Sequence, residues 1–299
     1  MQKTKCLLCN EEHQIFWEKH GFSWRKCSKN NFIYLSPQPD KEKTEELAET
    51  NVRKITIQSY LKPNFGKVLM AQHTLFLIKQ LKKDGCLLEI GPGGGEFLRC
   101  ARKEGFKTFA VEINKTLADY LTRTLNIKVE NCSASSADYF KSQSFDIIYH
   151  KDVLSHLQNP INSFKTFYDR LDDDGILVFE TGNVGEIDKF WVSFIESVWV
   201  SDHLFLFSIK SVKKFLDLSG FELIRYRYYS IVPYQFVSKI FKRKKEIIND
   251  FDSSIDGNTH VSIAQKIKWY VAYFLVYRLG SFLPKNWPAT VIYVARKKR

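Results

Sequence analysis

From residue 86 onward, the hydrophobic positions follow two alternating patterns. Short apolar runs of strand length recur, and segments with apolar residues at three- and four-residue spacing lie between them. The predicted strands are residues 87–90, 108–112, 128–131, 145–149, 176–180, 221–229 and 289–295. The predicted helices between them include residues 96–104, 115–125 and 162–171. This alternation predicts an α/β fold with a mostly parallel, seven-stranded sheet and helices on both faces.

Changes in composition divide the chain into five predicted segments. They are a cysteine-rich, zinc-ribbon-like module (1–40), a helical linker or cap (41–84), the α/β core (85–230), a basic and amphipathic helical insertion (231–288), and the last strand with a basic tail (289–299). Within the cap, Leu69, Leu75, Ile78 and Leu81 recur at helical spacing. In the core, an acidic turn at residues 172–175 is expected before the fifth strand.

Residues 87–98 form an apolar strand that breaks into glycines and then resumes as a helix. Gly91, Gly93 and Gly95 lack side chains, so the backbone can approach a ligand closely there and adopt positive φ. Open α/β sheets form cofactor crevices at such turns. The spacing differs from the dinucleotide fingerprint, and the lysine of a P-loop is missing. The stretch predicts a small-molecule cofactor site, with an ordinary glycine-rich turn as the alternative.

Glu112 stands at the carboxyl end of the second predicted strand. A carboxylate in this place can accept hydrogen bonds from both hydroxyls of a ribose. The alternative is a carboxylate that stabilises the start of the next helix. Because the glycine stretch precedes it, we expect ribose binding. Tyr60, shortly before Pro63, could fold over the same cofactor or could lie on the surface.

The first 40 residues contain a Cys-x-x-Cys pair and a later cysteine. Thiolates at this spacing can share one tetrahedral zinc ion. The candidate ligands are Cys6, Cys9, Cys27 and His20. His13 is the other histidine available for the fourth position, and a ribbon that has lost its metal is the alternative reading. The remaining cysteines are scattered, and no disulfide framework is expected.

The formal net charge of +12 is concentrated near the C-terminus. Residues 231–299 carry 13 Lys and Arg against 4 Asp and Glu. The basic cluster at 242–245 precedes an amphipathic segment, which suits a membrane surface or a phosphate-bearing, lipid-linked acceptor. A solvated loop beside a packed helix explains the pattern equally well. With no signal sequence or long apolar run, we expect a cytoplasmic protein, peripheral to the membrane at most.

Several motifs, in their order along the chain, resemble class I S-adenosylmethionine (SAM)-dependent methyltransferases. They are the glycine run at 87–95, Glu112, residues 145–148, 152–160, 175–180 and 202–208, and Gly220-Phe221. The resemblance covers residues 60–230 and implies a Rossmann-like sheet with SAM as cofactor. Residues 1–40 are similar to the cysteine-rich module of some bacterial sugar and polysaccharide methyltransferases, but Asn30 departs from that pattern.

The resemblance also implies roles for individual residues. The methionine portion of the cofactor would be lined by Glu89, Gly91, Gly93 and Gly95, and the ribose would be held by Glu112. The adenine would be flanked by Cys132, Ser133 and Ala134. His150 and Lys151 would sit beneath the sulfonium, whereas His156 would be structural.

The acceptor end is expected between the fifth strand and the helix at 208–219. An oxygen or carbon acceptor benefits from a base of near-neutral pKa, and histidine is the obvious type. We expect His203 to be this base, oriented by Asp202, with a packing histidine as the alternative. The expected wall of the acceptor pocket consists of Asn183, Phe190, Trp191 and Trp199. Aromatic residues in a helical pattern also suit a core.

Together these features predict a methyltransferase that acts on a small molecule or glycan, such as a sugar, a nucleotide sugar or a lipid-linked saccharide. A nucleic-acid methyltransferase is the enzymatic alternative, favoured by the basic charge. However, no Asn-Pro-Pro-Tyr or Asp-Pro-Pro-Tyr motif follows the fourth strand, so nucleic acid is not the expected partner. A scaffold protein that binds SAM without catalysis is the third reading.

Overall fold

The computed structural model describes residues 4–39, 65–136, 138–187, 189–192, 195, 198–228, 267, 270, 271 and 289–299. In chain order the strands are β1 (Ile15–Lys19), β2 (Phe22–Cys27), β3 (Phe32–Leu35), β4 (Cys86–Ile90), β5 (Lys107–Val111), β6 (Lys128–Glu130), β7 (Phe145–Lys151), β8 (Leu171–Gly182), β9 (Phe205–Leu206), β10 (Phe221–Tyr228) and β11 (Thr290–Lys297). Tyr60 and the basic cluster at 242–245 lie outside the described residues.

The central sheet has seven strands in the order β10-β11-β8-β7-β4-β5-β6. Strands β4 to β8 run parallel to one another, whereas β11 pairs antiparallel with β8 and β10. The predicted α/β fold with a mostly parallel, seven-stranded sheet is therefore confirmed. The chain proceeds to one side of β4 through β5 and β6, and to the other side through β7 and β8. A crevice is expected at the carboxyl ends of the strands where the direction reverses.

The α-helices are α1 (Phe65–Lys79), α2 (Glu96–Lys103), α3 (Lys115–Leu125), α4 (Pro160–Arg170), α5 (Lys189–Val192) and α6 (Ile209–Leu218). Two 3-10 turns lie at Leu154–His156 and Val184–Glu186. Side chains cap the helix starts: Asn114 Oδ1 accepts a hydrogen bond from Leu117 N at 3.0 Å, and Ser208 forms a capping box with Ser211. Within the described ranges, none of the helices has the length and hydrophobicity needed to cross a membrane.

Strand β8 differs from the sequence-based expectation. Residues 172–175 were expected to form a turn before the strand, but β8 already begins at Leu171. Leu171 pairs with Phe145, and the next pair along the two strands is Ile176 with Ile147. The extra residues on β8 bulge out between these pairs because an acidic run with a glycine does not suit a buried ladder. The bulge leaves the apolar residues that follow in register with β7.

The N-terminal strands form a second sheet, with the order β1-β2-β3-β9. Strands β1 and β2 are joined by a two-residue turn, His20-Gly21, with φ of 51° and 78°. On its other edge, β3 pairs with β9, which matches Tyr34 with Phe205. Because β9 comes from the α/β core, the cysteine-rich module and the core share this sheet.

The hydrophobic core lies on both faces of the central sheet. Along β4, Leu88 packs on one face with Phe164 of α4, and Leu87 packs on the other face with Leu98 of α2. Successive residues of a strand point to opposite faces, which explains this division. The cluster that contains Leu88 continues into the N-terminal sheet, where Trp24 is fully buried. The two sheets are thus joined by one continuous apolar layer.

Candidate functional site

A cavity of about 740 Å³ opens at the carboxyl ends of β4, β5 and β7. The predicted site residues that line it are Glu89, Gly91, Gly93, Glu112, Cys132, Ser133, Ala134, Lys151 and Asp202. They come from separate strands and loops that the parallel sheet brings to one edge. This volume lies within the range of small-molecule and cofactor sites, which is about 300–1,000 Å³.

The glycine loop forms one wall of the cavity. Gly91 has φ of 68°, and a Cβ atom built on it would lie 2.9 Å from Cγ2 of Val153. Only glycine fits this combination of backbone conformation and close approach. Gly95 serves a different purpose, because its Cβ would meet Leu121 and Leu125 and not the cavity. Gly95 therefore allows helix α2 to pack against α3 and does not line the cavity.

Glu112 connects the glycine loop with the start of α3. Its Oε1 accepts a hydrogen bond from Asn114 N at 2.9 Å, and its Oε2 lies 3.4 Å from Gly93 N, which donates to it. The side chain is buried, and burial raises the pKa of this carboxyl above its usual value. The carboxylate thus accepts hydrogen bonds from the backbone ahead of α3 and lines the cavity, and ribose binding by Glu112 stays a prediction.

A group of buried acids forms the floor of the cavity. Glu180 accepts hydrogen bonds from Thr74 Oγ1 at 2.6 Å and from the Tyr149 hydroxyl at 2.7 Å, and its Oε2 lies 3.3 Å from Lys151 Nζ. Glu89 Oε2 is buried without a hydrogen-bond partner among the described residues. Burial, and then the neighbouring carboxylates, raise the pKa of Glu89 well above its usual value. The floor therefore suits a cationic group.

His150 lies on the opposite face of the sheet from this floor. The ring stacks on Phe179 with centroids 5.2 Å apart and is edge-on to Phe164. Neither ring nitrogen has a hydrogen-bond partner in the described part of the chain, and burial lowers the pKa of His150 to about 3. The expectation that His150 and Lys151 both lie beneath a sulfonium is corrected here. Adjacent residues of β7 point to opposite faces, so only Lys151 reaches the cavity.

A pair of histidines stands at the other end of the cavity. The ring centroids of His156 and His203 are 4.7 Å apart. Nδ1 of His156 donates to the backbone oxygen of Asp202 at 2.9 Å, and Nδ1 of His203 donates to the backbone oxygen of Val198 at 2.8 Å. A carbonyl oxygen can only accept, so each Nδ1 carries a hydrogen and each neutral ring keeps its lone pair on Nε2.

The two histidines differ in their access to the cavity. His156 and Asp202 are among the lining residues, whereas His203 is not. About a third of the His156 side chain, 34%, remains exposed. Partial burial, and then the charge of His203, lower the pKa of His156 below its usual value. His156, expected to be structural, is therefore the neutral imidazole that faces the cavity, and the fold places His203 behind it.

The expected acceptor wall is not assembled at the cavity. Asn183 is buried away from it, where Nδ2 donates to Glu186 Oε2 at 3.3 Å. Trp199 is also buried, and Nε1 donates to Val192 O at 3.0 Å. Phe190 is exposed, and the side chain of Trp191 lies outside what the structure describes. The aromatic pattern belongs to the core, as the alternative reading held for Trp199.

Four donor side chains converge in the N-terminal module. The atoms offered by Cys6, Cys9, His13 and Cys27 all lie within 4.8 Å of one another. Cys9 Sγ is 3.8 Å from Cys27 Sγ and 3.2 Å from His13 Nε2. Zinc bound tetrahedrally at about 2.3 Å from each sulfur would place two sulfurs about 3.8 Å apart, so the cluster fits that ion.

The fourth member of this cluster corrects the ligand set expected from sequence. His20 was the expected ligand, but it occupies the turn between β1 and β2 and takes no part in the cluster. Cys27 ends β2 at the opposite end from that turn, roughly 17 Å away for a strand of this length. His13, the second available histidine, is the residue that joins the three cysteines.

The match to a known family agrees with this geometry. Residues 59–226, more than half of the chain, match the family described as a methyltransferase domain. The chain belongs to this family. The family, the sheet order and the cavity together identify a class I SAM-dependent methyltransferase, with SAM as its cofactor. No curated protein matches the chain in sequence.

Solved structures share the fold at low sequence identity. A protein assigned as a methyltransferase from Bacillus halodurans C-125 is 17% identical, with a TM-score of 0.51 over 76% of this chain and 98% of that chain. A protein assigned as a sarcosine dimethylglycine methyltransferase from Galdieria sulphuraria is 17% identical, with a TM-score of 0.50 over 78% and 85%. Phosphoethanolamine N-methyltransferase 2 from Haemonchus contortus, in complex with SAM, is 16% identical, with a TM-score of 0.50 over 76% and 53%.

Proposed function

We propose that the enzyme transfers the methyl group of SAM to a small-molecule or glycan acceptor at the His156 end of the cavity. The observation that carries the proposal is the buried Oε2 of Glu89, which has no hydrogen-bond partner in the described part of the chain and lies in the same cavity as the glycine loop and Glu112. Glu89 would hold the cofactor's ammonium, and Glu112 would hold its ribose. Cys132, Ser133 and Ala134 would flank the adenine.

The protein's contribution to the reaction is alignment, exclusion of water and proton removal. SAM supplies a methyl group on a positively charged sulfur, and alignment of donor and acceptor can contribute about 7–11 kcal/mol. Lys151 is paired with Glu180, so it would add little net positive charge to the cavity that would hold the cofactor. The proton of a hydroxyl or amine acceptor would pass to a neutral imidazole of the His156 and His203 pair. Asp202 would keep that pair in place through its backbone oxygen.

The proposed acceptor class is a sugar or a saccharide. The similarity of the cysteine-rich module to those of sugar methyltransferases supports this class. The names of two proteins that share the fold, a sarcosine dimethylglycine methyltransferase and a phosphoethanolamine N-methyltransferase, support small molecules in general. Both kinds of acceptor would fit beside the cofactor in a cavity of about 740 Å³.

Two measurements test the function. Calorimetry with S-adenosylhomocysteine should show binding near one per chain, and its absence would contradict the cofactor assignment. Methyl-labelled SAM, incubated with the protein and fractions of a cell extract, should then label a small-molecule or saccharide fraction. Label in nucleic acid, or in no fraction, would contradict the acceptor class. Saturating turnover should fall in His156→Gln and His203→Gln, since each removes an imidazole from the pair.

We also propose that the N-terminal cluster holds a structural zinc ion. Three thiols and one imidazole form a closed ligand set, which is typical of structural zinc. Asn30 Nδ2 donates to Cys27 Sγ at 3.6 Å, as outer groups commonly do for metal-bound sulfur. With four protein ligands, the ion would leave no open position for chemistry and would stabilise the module.

Contact with a membrane surface remains a separate proposal. Ile267, Tyr270 and Val271 are helical and more than half exposed, at 57%, 56% and 52%. Their spacing puts them on one face of a helix. Together with the basic cluster at 242–245, this face supports peripheral binding to anionic lipid. Flotation with anionic liposomes at low and high salt tests it, and a lack of salt-sensitive binding would contradict it.

A further inference from the structure

The N-terminal sheet holds the backbone of the segment that carries His203. Trp24, in β2, is fully buried, and its Nε1 donates to the backbone oxygen of His203 at 3.3 Å. The next residue, Leu204, accepts from Leu35 N at 2.9 Å and donates to Ser155 O at 2.8 Å. The segment is therefore fixed between the N-terminal sheet on one side and the turn that carries His156 on the other.

The Trp24 ring also supports the loop that orients the imidazole of His203. It meets Trp199 edge-on, with centroids 5.4 Å apart. Trp199 is the neighbour of Val198, whose backbone oxygen accepts the hydrogen bond from His203 Nδ1 at 2.8 Å. Both the backbone and the ring of His203 thus depend on contacts that lead to Trp24. The ring of His203 in turn packs against His156, which lines the cavity.

The same strand links this arrangement to the cysteine cluster. Cys27 ends β2 three residues after Trp24 and pairs with Phe32 across the sheet. Phe32 stacks on Phe205 with centroids 5.7 Å apart, two residues beyond His203. Movement of β2 would therefore be transmitted to the segment on both sides of His203.

We propose that the N-terminal module is a part of the acceptor site, in which Trp24 is a positioning residue for the His156 and His203 pair. The inference rests on the proposed function in that it takes this pair as the acceptor end. The Trp24 N–H fixes the His203 carbonyl, and the two imidazoles then adopt one mutual arrangement. Loss of this hydrogen bond changes their surroundings without touching the glycine loop, Glu112 or Glu89.

Nuclear magnetic resonance of histidine-labelled, full-length protein tests this directly. The titrations of the two rings are assigned by His156→Gln and His203→Gln. In Trp24→Phe, which keeps an aromatic ring and lacks the N–H, the midpoint of at least one ring should shift by about 0.3 pH unit or more. Unchanged midpoints would overturn the proposal, because a positioning residue must alter the rings that it positions.

Trp17→Phe is the matched control. Trp17 also packs on Trp199, with centroids 6.0 Å apart, but its Nε1 has no hydrogen-bond partner among the described residues. Its substitution should leave both midpoints within about 0.1 pH unit of the unaltered protein. Equal shifts in the Trp17 and Trp24 variants would also overturn the proposal, since they would show a general loosening of the aromatic cluster.

A second variant covers the case in which Trp24→Phe does not fold. Incorporation of 3-benzothienylalanine at position 24 keeps the shape of the indole and replaces only its N–H with sulfur. The titration midpoint of at least one histidine ring should shift as in Trp24→Phe. Unchanged midpoints would overturn the proposal that Trp24 is a positioning residue. Calorimetric binding of S-adenosylhomocysteine should be retained in the Trp24 and Trp17 variants, because neither residue lines the cavity. The histidine titrations need no turnover. If the unaltered protein failed to bind S-adenosylhomocysteine, the proposed function would be contradicted, but the effect of Trp24 on the two rings could still be measured.

Discussion

The hydroxyl of Tyr149 donates a 2.7 Å hydrogen bond to the buried carboxylate of Glu180. The same carboxylate also accepts from Thr74 and lies beside Lys151, so its charge is compensated on three sides. A buried carboxylate without such partners would be strongly destabilising. The partners come from α1 and from β7, and Glu180 therefore links α1 to the central sheet at the floor of the cavity.

Removal of this hydroxyl should weaken the fold. Tyr149→Phe should lower the free energy of unfolding by about 1.5–3 kcal/mol, the usual contribution of a hydrogen bond to a charged group. Urea unfolding followed by circular dichroism measures the change. Tyr120→Phe on α3 is the control, because Tyr120 is partly buried and packs on the same core. Equal unfolding midpoints for the two variants would contradict the role given to the hydroxyl.

Glu112 should contribute to cofactor affinity. Glu112→Ala removes the acceptor for two ribose hydroxyls, so the Kd for S-adenosylhomocysteine should rise about 10- to 100-fold. Calorimetry measures it. Glu130→Ala, on the adjacent strand and outside the cavity lining, should leave the Kd within about twofold. A similar loss in both variants would point to a general effect of charge on the basic protein.

Alanine variants at Gly91 and Gly105 distinguish the effect of backbone strain at positive φ from the effect of a steric clash between Cβ and a neighbouring side chain. Both have positive φ, 68° and 96°, but a Cβ meets Val153 at 2.9 Å at position 91 and nothing within 4 Å at position 105. Each alanine variant should lose about 1–2 kcal/mol in stability. Gly91→Ala should additionally weaken S-adenosylhomocysteine binding by about tenfold, as a displaced loop loses about 1.4 kcal/mol of contacts. Equal affinities would show that the loop tolerates a methyl group.

Cofactor binding should release protons at Glu89. Its folded-state pKa lies well above the usual value, so the carboxyl binds a proton more readily in the empty folded protein than in the unfolded chain. Its contribution to stability is therefore lost as the pH rises from about 4.5 through the raised folded value. A bound ammonium favours the carboxylate and drives the proton off. Calorimetry near pH 6 in buffers of different ionisation enthalpy should detect this release, and Glu89→Gln should abolish it. Uptake of protons would contradict the assignment.

The zinc proposal separates two histidines. After reconstitution with zinc, the unaltered protein should contain about one ion per chain by mass spectrometry. His13→Gln should hold the ion more weakly and lose it to a chelator, because it removes one of four ligands. His20→Gln should retain zinc, since His20 lies in the turn between β1 and β2. Loss of zinc in the His20 variant alone would contradict the ligand set.

Several residues that line the cavity near the glycine loop could be predicted because their sequence signals are local. Gly91 turns with positive φ tightly against Val153, and Gly93 also has a positive φ, 54°, so both positions favour glycine. Glu112 follows directly from a strand end. The orientation of His150 could have been predicted from the strand pattern. Alternate residues of β7 point to opposite faces of the sheet, which separates His150 from Lys151, whereas the family resemblance implies that both lie beneath the sulfonium.

The acceptor end depends on contacts between distant parts of the chain. The sequence does not indicate whether His156 or His203 faces the cavity. The orientation of each ring depends on the backbone oxygen that its Nδ1 contacts, that of Asp202 for His156 and that of Val198 for His203. No feature of the sequence indicates that Glu180 lies in the floor of the cavity, because its hydrogen-bond partner Thr74 lies 106 positions earlier in the chain. His13 is only four residues from Cys9, but the hairpin turn that carries His20 away from the cluster had to be recognised first.

The pairing of β3 with β9 has a consequence for synthesis on the ribosome. Tyr34 and Phe205 are neighbours in the sheet, yet about 170 residues of chain separate them. The N-terminal strands leave the ribosome early and must wait, with one edge open, until the strand that covers it has been made. At about 5–20 residues per second this interval lasts roughly 10–30 s. A metal ion acquired during that time would keep the hairpins folded and reduce the risk of edge-to-edge aggregation between nascent chains.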